Sequence, residues 1–434
     1  MQPIIEQLRA ALGGNLGFVV GCVLLGLLTL QLLLMLYVSL RRVYFDRGQR
    51  RLSRQRLELL IKAAKAQCQE VEQAKLLWNG SRKFTVTKKV LECQDVHSFY
   101  LVPHDGKPLP AYRPGQYLTF QLDIPGRDKP VVRCYSLSDS PNHPDYYRIT
   151  IKKEKAPADR PDLPPGAASC YFADVVKEGD ILNVKAPAGH FYLDMIKTNP
   201  IMLIAGGVGV TPMLSMARAV AASGMKREVW FIFGVRNGEE HIFKEEIEQL
   251  AAGHDHIRTQ VFYSRPKPGE VKGRDYHREG RVTIEALKEL VPSNNFEYYL
   301  CGNGSFMKSI TDGLEAWGVP EKDIYFEAFG PATVKKKAAP AADTPAPGAP
   351  LFQITFSKSG KVLPWEPGLA NLLDFARDKG VRIESGCCAG SCGSCVVAIK
   401  TGSVDYLKPP DAEPEQGSCL TCICKPKSDL VLDA

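Results

Sequence analysis

Between Ala10 and Leu40 the chain contains no Asp, Glu, Lys or Arg. That gap excludes a solvated surface helix. Its core, Leu16 to Leu40, is dominated by Leu, Val, Gly and Phe and exceeds the ~20 residues that a bilayer-spanning helix needs. No zinc motif, catalytic triad or carboxylate pair stands out, which removes the usual footing for hydrolytic and general acid–base chemistry. Tandem repeats are absent as well, so a solenoid or propeller is excluded.

Evenly spread positive charge is also missing. The net charge is +7, but Arg41 to Arg56 holds seven arginines against Asp46, a local +6 that leaves about +1 for everything else. This excludes a nucleic-acid-binding face and describes a juxtamembrane patch. Seven arginines after the apolar run, against Arg9 and Glu6 before it, put the bulk of the chain in the cytoplasm by the positive-inside rule. A cleaved signal peptide would carry its positive charge ahead of an apolar run of only about 7–15 residues. The expectation is a single-pass protein of the inner (cytoplasmic) membrane, with its catalytic domains cytoplasmic.

Cysteine is abundant where it matters. The last fifty residues hold seven of the thirteen, and Cys387, Cys392 and Cys395 form a C-x4-C-x2-C array, the plant-type spacing for a [2Fe-2S] cluster. Thiolates are soft, anionic donors that suit such a cluster, and Gly390 and Gly393 let a tight loop wrap it and aim backbone N–H groups at the sulfurs. A fourth thiolate must come from Cys419, Cys422 or Cys424. A disulfide set and a zinc site are the competing readings; the rest of the chain reads as residing in reducing cytosol, against disulfides, and zinc ribbons favour paired C-x2-C knuckles, of which only one is clear.

At 434 residues, with 44% hydrophobic and 24% charged residues, the chain has room for about three globular domains. Leu57 to Lys75 has helical spacing and reads as a stalk leaving the membrane. From Lys83 to Ala186 short alternating runs separated by Pro, Gly and Asp predict six strands of a small antiparallel barrel. After Pro200 apolar strands alternate with helices, at Ile201–Ala205 then Met213–Ala222, Glu228–Phe233 then Ile242–Ala251, and Phe296–Leu300 then Ser305–Trp317. That is a parallel, doubly wound pattern. Lys335 to Pro350, rich in Pro and Ala, predicts a semi-rigid linker.

Three groups of residues carry cofactor chemistry. Arg133, Tyr135 and Ser136 lie in one predicted strand; arginine offers a forked cation for a phosphate, tyrosine a ring to cover an aromatic cofactor, and serine a hydroxyl. Gly166-Ala-Ala-Ser169 opens a helix whose backbone amides would hold a pyrophosphate, though a plain turn and N-cap would look the same. The loop Ala205-Gly-Gly-Val-Gly-Val-Thr-Pro212 departs from the G-x-G-x-x-G dinucleotide fingerprint by ending in proline. Gly207 and Gly209 still permit close backbone approach, and Pro212 presets the first helical turn.

Together these segments resemble the ferredoxin–NADP reductase superfamily, most closely the reductase half of flavohemoglobins, from about Arg113 to Pro331. The resemblance implies that the R-x-Y-S motif of Arg133, Tyr135 and Ser136 binds flavin, with Ser136 near N5, and that Gly166 and Ser169 favour FAD over FMN. It assigns Gly207, Gly209, Thr211 and Pro212 to the nicotinamide nucleotide, places Cys301 and Gly302 beside the nicotinamide ring, and puts Glu327 and Phe329 at the transfer site. Ser136, Cys301 and Glu327 are thus the expected catalytic set. Arg236 and Ser264-Arg265 would welcome a 2′-phosphate, but the flavohemoglobin-like pattern has similar residues, so NADH is favoured over NADPH. The tail resembles plant-type ferredoxins, whose last ligand sits in a Leu-(Thr or Ala)-Cys-x3-Pro context that Leu420, Thr421, Cys422 and Pro426 match. The implied metal ligands are Cys387, Cys392, Cys395 and Cys422.

The expected order is an N-terminal segment and transmembrane helix (1–40), a basic juxtamembrane stretch and stalk helix (41–79) and an FAD-binding antiparallel β-barrel (80–196). An α/β parallel-sheet NAD(P) domain (197–332), a Pro/Ala linker (333–350) and a β-grasp [2Fe-2S] ferredoxin domain (351–434) follow. Nicotinamide gives two electrons as hydride and a cluster accepts one, so a flavin must stand between them. The assembly resembles membrane-anchored relatives of oxygenase reductases, which implies electron delivery to a separate oxygenase or desaturase. Direct reduction of quinone and a tethered redox-sensing module are the alternatives. The first eighty residues cannot supply the globin of a flavohemoglobin, and the ferredoxin domain comes last, unlike in the flavin subunit of sodium-pumping quinone reductases.

Overall fold

The computed structural model describes residues 3, 6, 7, 17, 19–42, 44, 56, 57, 61, 76–127, 130–143, 145–156, 164–328, 352–366, 369–383, 385, 386, 390, 393–407, 410 and 414–434. Most of the expected basic patch and stalk, the Pro/Ala linker, Phe329, Cys387 and Cys392 lie outside these residues. Two compact units result, Met1–Lys75 and Leu76–Ala434. The first contains helix α1 (Val19–Arg42), long and apolar enough to cross a bilayer.

The second unit begins with a six-stranded antiparallel sheet: β1 (Ser81–Cys93), β2 (Val96–Pro103), β3 (Tyr117–Leu122), β4 (Val131–Ser136), β5 (Tyr147–Lys152) and β6 (Ile181–Ala188). Their order is β4-β3-β6-β1-β2-β5, and a bridge between Leu137 and Ile149 closes it into a barrel. Closure removes both sheet edges. Alternate residues such as Phe84, Val86, Phe99 and Phe120 fill the interior. Helix α2 (Ala167–Asp174) is held there by Phe172, whose ring packs edge-on against Phe99 and Phe120.

Next comes a parallel sheet of order β10-β9-β8-β7-β11-β12, formed by β7 (Ile201–Gly206), β8 (Val229–Val235), β9 (Ile257–Tyr263), β10 (Arg278–Glu279), β11 (Glu297–Gly302) and β12 (Ile324–Ala328). Helices α3 (Val210–Ala222), α4 (Lys244–Gly253), α5 (Ile284–Leu290) and α6 (Gly304–Ala316) cover it. Ile201, Leu203 and Ala205 face one buried cluster while Met202 and Ile204 face another. Burial on both faces is why these strands read as continuous apolar runs. Two expected boundaries shift for local reasons. The helix expected from Ile242 starts at Lys244, because buried Phe243 adopts a left-handed conformation, φ 58°. The strand expected to end at Leu300 runs through Gly302, because Cys301 and Gly302 pair with Glu327 and Ala328 of β12.

The C-terminal part is a mixed sheet of order β14-β13-β19-β15-β17 beside a short ribbon, β16 (Val404–Tyr406) with β18 (Cys424–Pro426). Its strands are β13 (Gln353–Phe356), β14 (Lys361–Pro364), β15 (Val396–Thr401), β17 (Ser418–Leu420) and β19 (Leu430–Leu432). The parallel pairing of β13 with β19 is the grip around helix α7 (Leu372–Asp378), whose first turn is capped by the Asn371 carboxamide accepting from the Asp374 N–H at 2.8 Å.

Candidate functional site

Strand β4 presents its motif by simple alternation. Arg133 is exposed, Tyr135 is half-buried, and Ser136 is buried at the strand end. Arg133 has no salt bridge among the described residues, and its Nη1 donates to the Val132 carbonyl at 2.7 Å. Tyr135 packs on Phe172 at 5.3 Å, and so sets α2 against the strand. The N-cap of α2 is Gly166, which offers no side-chain acceptor to the first-turn amides. Ser169 does not fill that role either: its hydroxyl donates to the Gly166 carbonyl at 3.0 Å and accepts from the Glu154 N–H at 3.1 Å. Uncapped amides fit a bound pyrophosphate.

At the other end of α2, Lys89 of β1 donates to the carbonyls of Phe172 (3.2 Å), Ala173 (2.7 Å) and Val176 (2.7 Å). Burial draws this ammonium below its ordinary pKa, against the pull of Asp174 and Asp180. A cation on the terminal carbonyls favours the helix dipole that aims positive potential at Gly166. The sequence reading missed Lys89, because a lysine in an alternating strand looks like any solvated position.

The glycine loop between β7 and α3 is positioned by the neighbouring strand. A Cβ on Gly209 would lie 2.2 Å from the Cys301 carbonyl oxygen and 2.9 Å from the Gly302 nitrogen, so no side chain fits there. Thr211 is buried and donates to the Val208 carbonyl at 3.0 Å, fastening the turn ahead of Pro212. Parallel pairing sets Ala205 beside Cys301, and Cys301 beside Glu327. From the barrel side, Ser136 Oγ donates to Glu327 Oε2 at 3.4 Å. The three expected catalytic residues therefore meet where the barrel adjoins the parallel sheet. Burial, then the Glu327 charge, pushes the Cys301 thiol well above its usual pKa, so it is a neutral group.

In the C-terminal domain, Cys395 and Cys422 have their sulfurs 3.1 Å apart, close enough for one metal ion to take both. Thr421 fixes this approach by donating to the Cys395 carbonyl from its N–H (3.2 Å) and its hydroxyl (3.0 Å). Gly390, at φ +80°, lies so close to Ile423, the neighbour of Cys422, that an added Cβ would sit 2.5 Å from Ile423 Cδ1. Cys419 and Cys424 are both buried free thiols; a side-chain hydrogen bond with Cys419, and then burial, raises the Cys424 thiol pKa.

Comparison with known proteins matches residues 83–192 to the oxidoreductase FAD-binding domain, 203–312 to the oxidoreductase NAD-binding domain and 354–427 to the 2Fe-2S iron-sulfur cluster binding domain. The flavohem-like FAD/NAD-binding domain of nitric oxide dioxygenase from Vibrio cholerae is 33% identical, with a TM-score of 0.52, over 58% of this chain and 100% of that one. The chain belongs to the ferredoxin–NADP reductase-like oxidoreductases. As a member of that family it is an oxidoreductase with FAD-, NAD- and 2Fe-2S-binding domains. Phthalate dioxygenase reductase, described as a modular structure for electron transfer from pyridine nucleotides to [2Fe-2S], is 27% identical with a TM-score of 0.50, over 82% of this chain and 98% of that one. The flavohemoprotein of Halalkalibacterium halodurans is 40% identical over 63% of this chain and 66% of the relative. The chain thus spans slightly less than two thirds of the length of the curated relatives it matches.

Proposed function

We propose that this protein is a membrane-anchored, NADH-dependent reductase that passes electrons through FAD and a [2Fe-2S] cluster to a separate oxygenase or desaturase. The meeting of Ser136, Cys301 and Glu327, one residue from the flavin strand and two from the nicotinamide sheet, carries the reading. Bound FAD supplies the exchange between hydride chemistry and one-electron transfer to the cluster.

The protein's own groups hold and orient. Arg133 and the first-turn amides of α2 bind the flavin phosphates, Tyr135 covers a face of the ring, and Ser136 stands at its reacting edge. Gly207 and Gly209 admit the nucleotide pyrophosphate, Thr211 and Pro212 shape the helix start, and Cys301 with Gly302 forms the floor beneath the nicotinamide. Glu327 accepts a hydrogen bond from the Ser136 hydroxyl and keeps it directed. Phe329, outside the described residues, is assigned to the flavin face. Cys395 and Cys422, with Cys387 and Cys392 outside the described residues, complete the cluster ligands.

Charge pairing supports NADH over NADPH. Of the two cations that would welcome a 2′-phosphate, Arg236, just past β8, is already countered by Glu240 at 3.4 Å. Helix α1 and the following arginines support anchorage at the inner face of the cytoplasmic membrane. The likeness to phthalate dioxygenase reductase across all three domains supports an oxygenase-type acceptor.

The test is anaerobic reconstitution of the full-length protein with FAD, iron and sulfide, followed by titration with NADH. Bleaching of flavin and then of cluster absorption, and turnover that depends on an added oxygenase component, is the expected result. Quinone reduction by the protein alone would replace the acceptor assignment, and failure to bind either group would end the proposal.

A further inference from the structure

A ring of four charges joins the barrel to the parallel-sheet domain, and none of its members belongs to a cofactor motif. Asp139, 3% exposed, lies three residues beyond Ser136 in the turn leaving β4. Its carboxylate accepts from Arg218 Nη1 of α3, from the Ser140 N–H at 2.7 Å and from the Tyr146 hydroxyl at 2.9 Å, and lies 3.6 Å from Arg148 Nε. Arg148 of β5, 1% exposed, donates to Glu246 of α4 at 2.7 and 3.1 Å and to the Ser138 carbonyl at 2.5 Å. Its guanidinium also stacks over Phe243 at 4.7 Å, the residue held in the left-handed conformation. Arg218 closes the ring by donating to Glu246 Oε2 at 2.6 Å.

The barrel supplies one acid and one base, and so does the nicotinamide domain. Positive and negative groups alternate, the sum is zero, and each carboxylate faces two guanidinium groups. Burial pushes the Asp139 carboxyl up, but Arg148 and Arg218 outweigh it and hold the group below its ordinary pKa. Burial likewise opposes the charge on Arg148, and Glu246 and Asp139 overcome it. Asp139 and Arg148 therefore stay ionised at neutral pH.

Placement gives the ring its purpose. Asp139 continues the strand end that carries Ser136, and Arg218 lies about two turns along α3 from Thr211. The ring is thus a short rigid link between the flavin strand and the helix that starts at the nicotinamide loop. We propose that the Asp139–Arg148–Glu246–Arg218 ring is a positioning device for hydride transfer, with Arg218 as its key member because it hydrogen-bonds both carboxylates, whereas Arg148 Nε stays 3.6 Å from Asp139. This rests on the reading that NADH reduces flavin at this seam. The hydride, two electrons with one proton, passes from reduced nicotinamide to flavin; the ring gains and loses nothing, and only fixes the distance. Small misplacements are costly in such transfers, and a lysine cannot replace a two-pronged donor.

The test uses the full-length, FAD-loaded protein in anaerobic stopped-flow with saturating NADH. Arg218→Met should lower the limiting rate of flavin bleaching about tenfold, leave the NADH concentration for half-saturation within about threefold, and remove the long-wavelength absorbance of nicotinamide stacked on flavin. Arg218→Lys keeps the charge without the fork and should remain slowed by more than about threefold. Lys152→Met, which removes a peripheral pair with Glu240 across the same seam, should not slow bleaching. A slowing of less than about threefold in the two Arg218 variants, even with a lower melting temperature, overturns the proposal. If the methionine variant fails to keep FAD, the lysine variant decides by the same threshold. Failure of the parent protein to bleach with NADH would instead defeat the underlying functional reading.

Discussion

Cys301 and Cys422 are almost equally hidden, at 0% and 4% exposure, yet their surroundings demand opposite chemistry. Cys301 is alone at the end of β11, pressed from one side by the Gly209 backbone and paired in register with Glu327. Nothing near it rewards loss of the thiol proton, so it can only be a small neutral wall. Cys422 faces a second sulfur at 3.1 Å in a turn held by Thr421. Two thiols at that distance are stable as thiolates only when a cation enters between them. The lesson is that burial does not distinguish a packing cysteine from a ligand; company does.

The sharpest way to break the contrast is Cys422→Ser, which should abolish the visible absorption of the cluster while flavin bleaching by NADH continues. Retained cluster absorption would transfer the ligand role to Cys419 or Cys424. Gly209→Ala comes next. Its new Cβ cannot coexist with the Cys301 carbonyl at 2.2 Å, so the loop must move, and hydride transfer should fall roughly 100-fold in stopped-flow while the cluster is untouched.

The titration of Cys301 gives a smaller and signed effect. Its folded pKa lies above the ordinary 9.0, so above about pH 9 the unfolded chain releases a proton that the folded chain keeps. Stability falls there by up to about 1.4 kcal/mol per pH unit from this group, and denaturant melts of Cys301→Ala should show that much less loss between about pH 9 and 10. Equal slopes in parent and variant would show that Cys301 ionises normally. Smallest of all is Cys419→Ser, which exchanges one hydrogen-bonding group for another beside Cys424; the cluster spectrum should persist and stability should change by about 1 kcal/mol. A lost spectrum would place Cys419 among the ligands and erase the distinction drawn here.

What could be read from the chain follows the same division between local and assembled features. The Cys387–Cys395 spacing, the Gly207–Pro212 loop and the alternating runs from Lys83 onward are local patterns, each complete within a few residues, and strands and helices appear where those patterns place them. Cys301 stood out only because a glycine follows it at a strand end. The four charges of the ring left no such trace. Arg148 sits in an ordinary strand alternation, and its partner Glu246 is 98 residues away on an amphipathic helix. Such partners become neighbours only after two domains dock, and no period or spacing announces that. Lys89 was hidden for the same reason, since the three carbonyls it binds belong to a helix and the turn after it, more than eighty residues later.

That lysine has one more implication. Because the far end of α2 is already tied down by three carbonyl contacts, the helix keeps its aim whether or not anything is docked at Gly166.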